Sequence, residues 1–412
     1  MIEPTRLQIL LLDDEKGSGL EWKKRLEDLW KSLGLERNFE AFALSPSDLG
    51  EALKGLHSRR SAARDNPPGV SDNENRFDSA DILFVDYDLF HVSDSEESGS
   101  TFDLTGATVA YLARCFSRCG LIVSVNQFEY GRTTFDLTLM GHIDTYADYH
   151  VAPADIDNAN LWRWDSKDKG FRPWYWPVLP DALNRYHQRI KQFDNRELLD
   201  AKIRDHLSLR DAPSLSTRML EFLEPIDPTF TDFVKSSKGL RNKDNLWSKD
   251  AAARIVAARI AKWLRDIVLP SQSVLVDAPH LIGRLPSLVG NVHWEDIPAL
   301  SDEQMKRTPL ADQEKHRFSP DYWLDRPAWW WHKIKDSDEI EAIRDPWNAK
   351  AAPVLFLEDT SSFAEKGQEF VAAVDPPFKS RYLAVLKDVS YTPESRLALG
   401  RGEVRAKGAT DE

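Results

Sequence analysis

The feature that most constrains this chain is a pair of short apolar runs, each stopped by acid. Leu7, Ile9, Leu10, Leu11 and Leu12 fill the stretch from Arg6 to Leu12, which halts at Asp13-Asp14. Ile82 to Val85 repeats the pattern and halts at Asp86. An unbroken apolar run of this length suits a strand buried on both faces, as in a parallel sheet. Around these runs the period changes to a helical one. Leu20, Trp22, Leu26, Leu29, Trp30 and Leu33 predict a helix that Gly34 ends. Phe39 to Leu44 reads as a short strand, and Ser45 or Ser47 as the cap of a helix through Leu56. Gly106 to Ser117 and Phe135 to Ile143 read as helices, Leu121 to Val125 and Tyr146 to Val151 as strands. Strands separated by helices predict an α/β fold with a doubly wound parallel sheet.

Two polar stretches interrupt the pattern. Residues 58–80 read as an exposed loop. Residues 87–105 read as a second one, with five acids (Asp88, Asp94, Glu96, Glu97 and Asp103) and no Lys or Arg. This second loop is a solvated segment or, functionally, a lid or a docking surface for a basic partner. After Ala154 the texture shifts: 12 of the 14 Trp lie beyond residue 160. Leu179 to Phe193, Arg196 to Leu209 and Ser248 to Val268 predict helices, the last closed by Pro270. Val354 to Leu357 and Tyr382 to Leu386 predict strands, and 401–412 a solvated tail. The expected division is an α/β domain over 1–153, a larger Trp-rich α+β region over 154–400, and the tail.

Composition narrows the function classes. Lys plus Arg number 54 and Asp plus Glu 67, a net charge of −13. That balance disfavours nucleic acid and anionic membranes as partners. No apolar run reaches the ~18 residues of a membrane span, and the N-terminus lacks a signal-peptide layout. Two cysteines fit a reducing compartment, so a cytoplasmic protein is expected. Cys115 and Cys119 read as core packing. No His-Glu-x-x-His, Gly-x-Ser-x-Gly or phosphate-cradling Gly loop is present, so no enzyme class is assigned. His293-Trp294-Glu295-Asp296 and Glu358-Asp359 are polar clusters without a nameable partner. Trp329-Trp330-Trp331 cannot all point inward on one face. The alternatives are plain core packing or one ring facing a groove, another domain or a partner.

In a doubly wound sheet, reactive groups gather at the carboxyl ends of the strands. Asp13, Asp14, Asp86, Asp88 and Ser124 fall at such ends, as does the segment from Ala147 to Pro153. Clustered carboxylates repel unless a cation sits among them, and Mg²⁺ takes oxygen ligands together with phosphate oxygens. A carboxylate beside such an ion can act as a nucleophile and form an acyl phosphate.

At these residues the chain resembles the receiver domain of bacterial response regulators, over roughly residues 6–153. The resemblance implies a flavodoxin-like fold. It gives Asp13 and Asp14 the role of the acidic pair that binds Mg²⁺, and Asp86 that of phosphoacceptor. Asp88 takes the position whose backbone carbonyl ligates the metal, and Ser124 that of the hydroxyl that hydrogen-bonds the phosphoryl group. It further implies a histidine kinase or phosphotransfer protein as donor and a downstream protein reached through the C-terminal region. The setting would be a bacterial phosphorelay, with defence against phage one form of it. The sequence departs from the family at Ala152, where the last strand should carry Lys; His150 and Arg132 are the nearby cationic candidates. Two other readings stay open. One is a pseudo-receiver that binds a partner without phosphorylation. The other is an Asp-nucleophile phosphatase, since Asp86-Tyr87-Asp88 is similar to the Asp-x-Asp start of haloacid-dehalogenase-like enzymes.

Overall fold

The computed structural model describes residues 6–14, 17–65, 74–93, 101–125, 146–151, 153–162, 178–193, 196–209, 215, 220, 223, 227–236, 249–285, 317–318, 320–335, 354–357, 362–365, 370–372 and 382–384. The expected helix Phe135–Ile143, Arg132, Ala152, the clusters at 293–296 and 358–359, and the tail 401–412 lie outside these residues.

The chain opens with β1 (Leu7–Leu12), α1 (Ser18–Leu33), β2 (Phe39–Ala43) and α2 (Pro46–Asp65). It continues through β3 (Ile82–Asp86), β4 (Asp88–Ser93), β5 (Thr101–Thr105), α3 (Gly106–Phe116), β6 (Leu121–Val125) and β7 (Tyr149–Val151). Five of these strands form one parallel sheet in the order β2-β1-β3-β6-β7. This is the doubly wound α/β arrangement. The order reverses at β1 and β3, so the chain leaves that gap in opposite directions.

The sheet is buried on both faces, as the unbroken apolar runs require. Leu10, Leu12, Leu83, Val85 and Ile122 join a core with Leu49, Leu53 and Leu56 of α2 and Val109 and Leu112 of α3. Ile9, Leu11, Ile82, Phe84, Val123 and Val125 join a second core with Trp22, Leu26 and Trp30 of α1. That second layer is completed by residues beyond 153, from α4 (Ala159–Trp162) and α5 (Leu179–Gln192). Trp162 is fully buried, with its ring 5.1 Å from Trp30, 5.3 Å from Phe39 and 5.9 Å from Phe84. Its indole Nε1 donates to the Ile156 carbonyl at 2.8 Å, so the burial leaves no polar atom stranded.

Further along come α6 (Arg196–Leu199), α7 (Ile203–His206), α8 (Phe230–Ser236) and α9 (Lys249–Trp263), which runs into a π-helical turn at Leu264–Val268. The α9 helix packs on both α3 and α5, which lie on opposite faces of the sheet, and its side chains divide between the two cores. It therefore passes around the β7 edge. Lys262 Nζ donates to the Ala147 carbonyl at 3.0 Å, and Arg265 donates to the Asp148 carbonyl while lying 4.1 Å over the Tyr149 ring. Next come β8 (Leu275–Asp277), α10 (Ala278–Arg284), β9 (Ala328–Trp330) and α11 (Trp331–Lys335). The last four strands, β10 (Val354–Leu357), β11 (Ser362–Glu365), β12 (Phe370–Ala372) and β13 (Tyr382–Ala384), form their own sheet.

Three expectations change. First, α2 runs past Leu56 to Asp65, through residues expected to be loop. Arg59 explains this: its guanidinium is buried, bonding both Asp78 carboxylate oxygens and the Phe116 carbonyl, so a polar position faces inward. Second, residues 88–93 and 101–105 are not loop but an antiparallel hairpin, with Leu89 opposite Leu104 and Val92 opposite Phe102. Third, Arg196 to Leu209 is two short helices, because Lys202 leaves the helix to bridge Thr229. The three neighbouring Trp do not all turn inward: Trp329 and Trp330 are buried, and the half-buried Trp331 carries the Arg284 guanidinium 4.6 Å from its ring.

Candidate functional site

The parallel sheet delivers its acids to one rim. Asp13 and Asp14 leave the end of β1, and Asp86 is the last residue of the adjacent β3. One carboxylate oxygen from each lies within 4.8 Å of the others. Asp13 and Asp14 are buried and Asp86 half-buried. These acids flank the point where the strand order reverses, which is where open α/β sheets bind ligands. Two unit charges at that spacing repel by about 1 kcal/mol in water and roughly 3–4 kcal/mol at an effective dielectric near 20. A hard divalent cation offsets that repulsion, and three carboxylates are a donor set that suits one.

Two residues that sequence patterns did not single out shape this rim. Ser18, the first residue of α1, donates its hydroxyl to Asp13 Oδ2. The preceding Gly17 has φ 99°, a left-handed conformation that L side chains rarely adopt. Gly106, at the start of α3, donates its N–H to the Tyr87 carbonyl at 2.7 Å. A Cβ there would meet the Asp86 carbonyl oxygen at 2.3 Å. The hairpin of β4 and β5 thus leaves and returns at the foot of Asp86. A glycine heading a helix is weak as a sequence signal, and the non-local contact that demands it was not visible.

Asp88, expected to offer its backbone carbonyl, begins β4 two residues beyond Asp86, with its side chain exposed. Ser124 and His150 fall elsewhere. Ser124 stands level with Val85 and His150, while the residue level with Asp86 is Val125. Paired residues share a face, so Ser124 shares the Val85 side and Asp86 the Val125 side. The Ser124 hydroxyl is buried without a hydrogen-bond partner among the described residues. His150 lies with Nε2 3.3 Å from Lys262 Nζ. An ammonium only donates, so that ring nitrogen accepts. Burial and the Lys262 charge together hold His150 well below the usual imidazole range, in its neutral form.

At the opposite end of the sheet, where β6 begins, lies a buried ionic knot. Arg114, fully buried, pairs with Asp148 and donates to the Gly120 carbonyl and the Tyr186 hydroxyl. Asp148 also accepts the Ile122 N–H at 2.7 Å. Cys115 and Cys119 are free and buried, and burial pushes both thiols up to about 12, which suits packing rather than chemistry.

Among the described residues no helix is long and apolar enough to cross a membrane. No family model matches the chain, and no curated protein or solved structure matches it.

Proposed function

We propose that this chain is a signalling protein of the response-regulator type that accepts a phosphoryl group on Asp86. The observation that carries the reading is the convergence of Asp13, Asp14 and Asp86 from adjacent strands at the reversal of the sheet order. In this reading an Asp86 carboxylate oxygen attacks phosphorus, the bond to the donor's leaving group breaks, and an acyl phosphate forms. Asp13, Asp14 and Asp86 would hold Mg²⁺, which would neutralise charge on the transferring group. Ser18 orients the Asp13 carboxylate. The N-terminus of α3, brought against the Asp86 backbone by Gly106, directs its partial positive charge toward that rim. The donor is a phosphohistidine protein or a small acyl phosphate, and the output passes through the C-terminal half.

A second reading is favoured by the strand register. With Val125 rather than Ser124 beside Asp86, no hydroxyl stands level with the acceptor. That arrangement suits a pseudo-receiver that binds a partner and holds no phosphoryl group. Intact mass of the full chain after incubation with acetyl phosphate and Mg²⁺ separates the two. A gain of one phosphoryl group, lost in Asp86→Asn and in EDTA, supports the phosphoacceptor. No gain, with Mg²⁺ binding still detected by calorimetry, supports the pseudo-receiver. Loss of Mg²⁺ binding as well would remove the metal site itself.

A further inference from the structure

A pocket of about 270 Å³, including its open mouth, lies where α5, the β7 edge, α9 and the turn at Asp321–Trp323 meet. Its enclosed part has room for one water-sized group. Leu121, Ala258, Ala261 and Trp323 give it apolar walls, and Asp148, Tyr149, Arg189, Arg265 and Asp325 are its polar lining.

Arg189 is the unusual member. It is 5% exposed, and its one hydrogen bond is from Nη1 to the Tyr322 carbonyl at 2.6 Å. Its Nε–H is buried without an acceptor, and no carboxylate comes within 4 Å of the guanidinium among the described residues. A buried cation without a counter-charge is costly, and a protein normally supplies one. The pocket's other charges already have partners. Arg265 is paired with Asp266, Asp148 with Arg114, and Asp325 accepts from the Tyr149 hydroxyl at 3.0 Å and faces Arg185 at 3.8 Å. Lys262 shares Asp266 at 3.4 Å, so Arg114, Arg185, Arg189, Lys262 and Arg265 outnumber Asp148, Asp266 and Asp325 and leave the region with excess positive charge. Burial pulls Arg189 below the usual guanidinium range, with Tyr149, Asp325 and Asp148 offsetting part of the effect from beyond ion-pair distance, and the group stays protonated.

We propose that this pocket binds one small monovalent inorganic anion, of chloride size, on the Arg189 guanidinium. The anion supplies the missing counter-charge and fastens α5 to the Tyr322–Asp325 turn across the end of the sheet. A monatomic anion fits where a tetrahedral oxyanion does not, because the enclosed space takes a single water-sized group. Asp148 and Asp325 restrict the charge further, since a second negative charge would sit beside both carboxylates.

The test is thermal unfolding of the full chain in sodium chloride against sodium gluconate at constant ionic strength. Gluconate is too large to enter. Raising chloride from 1 to about 300 mM should lift the midpoint by about 2–4 °C in wild type. Arg189→Met should abolish that dependence while leaving the chloride-free midpoint no lower, since it removes the uncompensated charge. Ala261→Val, which fills the wall and leaves every charge in place, should abolish it too, and serves if Arg189→Met fails to fold. Equal wild-type midpoints in the two salts would mean that water alone occupies the pocket and would overturn the proposal. So would a chloride dependence that survives either substitution.

Discussion

Replacing Gly106 by alanine tests whether the Asp86 rim is as tightly built as its contacts indicate. The new Cβ would sit 2.3 Å from the Asp86 carbonyl oxygen, 2.9 Å from Tyr87 Cα and 3.0 Å from the Asp86 carbonyl carbon. All three are backbone atoms, so no side chain can swing clear. Retreat from 2.3 Å to the 3.0 Å floor for real Cβ contacts displaces α3 or the end of β3. Either movement strains the 2.7 Å bond from Gly106 N–H to the Tyr87 carbonyl. Overpacking costs about 1–3 kcal/mol and the weakened hydrogen bond about 1 kcal/mol. Lower entropy of the unfolded chain returns roughly 0.4–1 kcal/mol. The net expectation is a loss of about 2–3 kcal/mol in urea unfolding of the full chain. Because the displaced atoms belong to Asp86, Mg²⁺ affinity should fall about tenfold or more, read by calorimetry. Gly55→Ala is the control for the metal site: its Cβ would meet Asn75 Nδ2 at 2.5 Å and disturb the Asn75 cap, so it should cost stability and leave Mg²⁺ affinity unchanged. A Gly106→Ala protein as stable as wild type, with wild-type Mg²⁺ affinity, would refute the reasoning.

Asp148→Ala strands the Arg114 guanidinium and the Ile122 N–H in the interior, and should cost about 3–5 kcal/mol by urea midpoint. Adding Arg114→Met should restore much of that loss, and a purely additive double mutant would contradict the pairing. Trp162→Ala empties the centre of the Trp30–Phe39–Phe84 cluster and should cost about 3–5 kcal/mol. A chain ending at residue 153 should accordingly fail to give a cooperative transition. Asp277 is held down to about 2 against the desolvation of its burial, chiefly by the charge and hydrogen bond of His280 and then by Arg326. A depressed carboxyl stabilises the fold above its unfolded pKa and loses that contribution as pH falls through the folded one. The stability gap between wild type and Asp277→Asn should therefore hold from pH 7 to about 4 and close toward pH 2. A gap that stays constant across that range would show that the carboxylate charge contributes nothing.

Much of the sheet was legible because burial on both faces leaves a clear trace: Ile9–Leu12, Ile82–Val85 and Leu121–Val123 are apolar without a break. The convergence of Asp13, Asp14 and Asp86 was legible for the same reason, since parallel strands that end in acid must deliver those acids to one rim. What escaped was set by pairing between distant segments. Whether Ser124 or Val125 stands beside Asp86 depends on a one-residue register, and apolar content alone does not fix it. The hairpin of β4 and β5 was hidden by its acids and by a register shift between Leu89 and Val92, which breaks the period-two pattern that Phe102 and Leu104 keep. Arg59 and Arg114 were hidden because a buried guanidinium looks like surface until its acceptors are known. The boundary at 153 followed the last strand, whereas the second core draws Trp162 and α5 from further along the chain.

The passage of α9 around β7 sets a valence for the sheet. An open sheet ordinarily has two edges on which another strand can grow. Here the carbonyls of Ala147 and Asp148 are held by Lys262 and Arg265, and the helix body stands across the approach. The opposite end of the sheet is β2, whose Phe42 is 41% exposed. A second copy pairing there would bury both free ends and present a blocked one on each side. Strand addition would then stop at two molecules. The same helix that completes both cores thus obstructs one of the sheet's two edges and leaves strand addition to the β2 side.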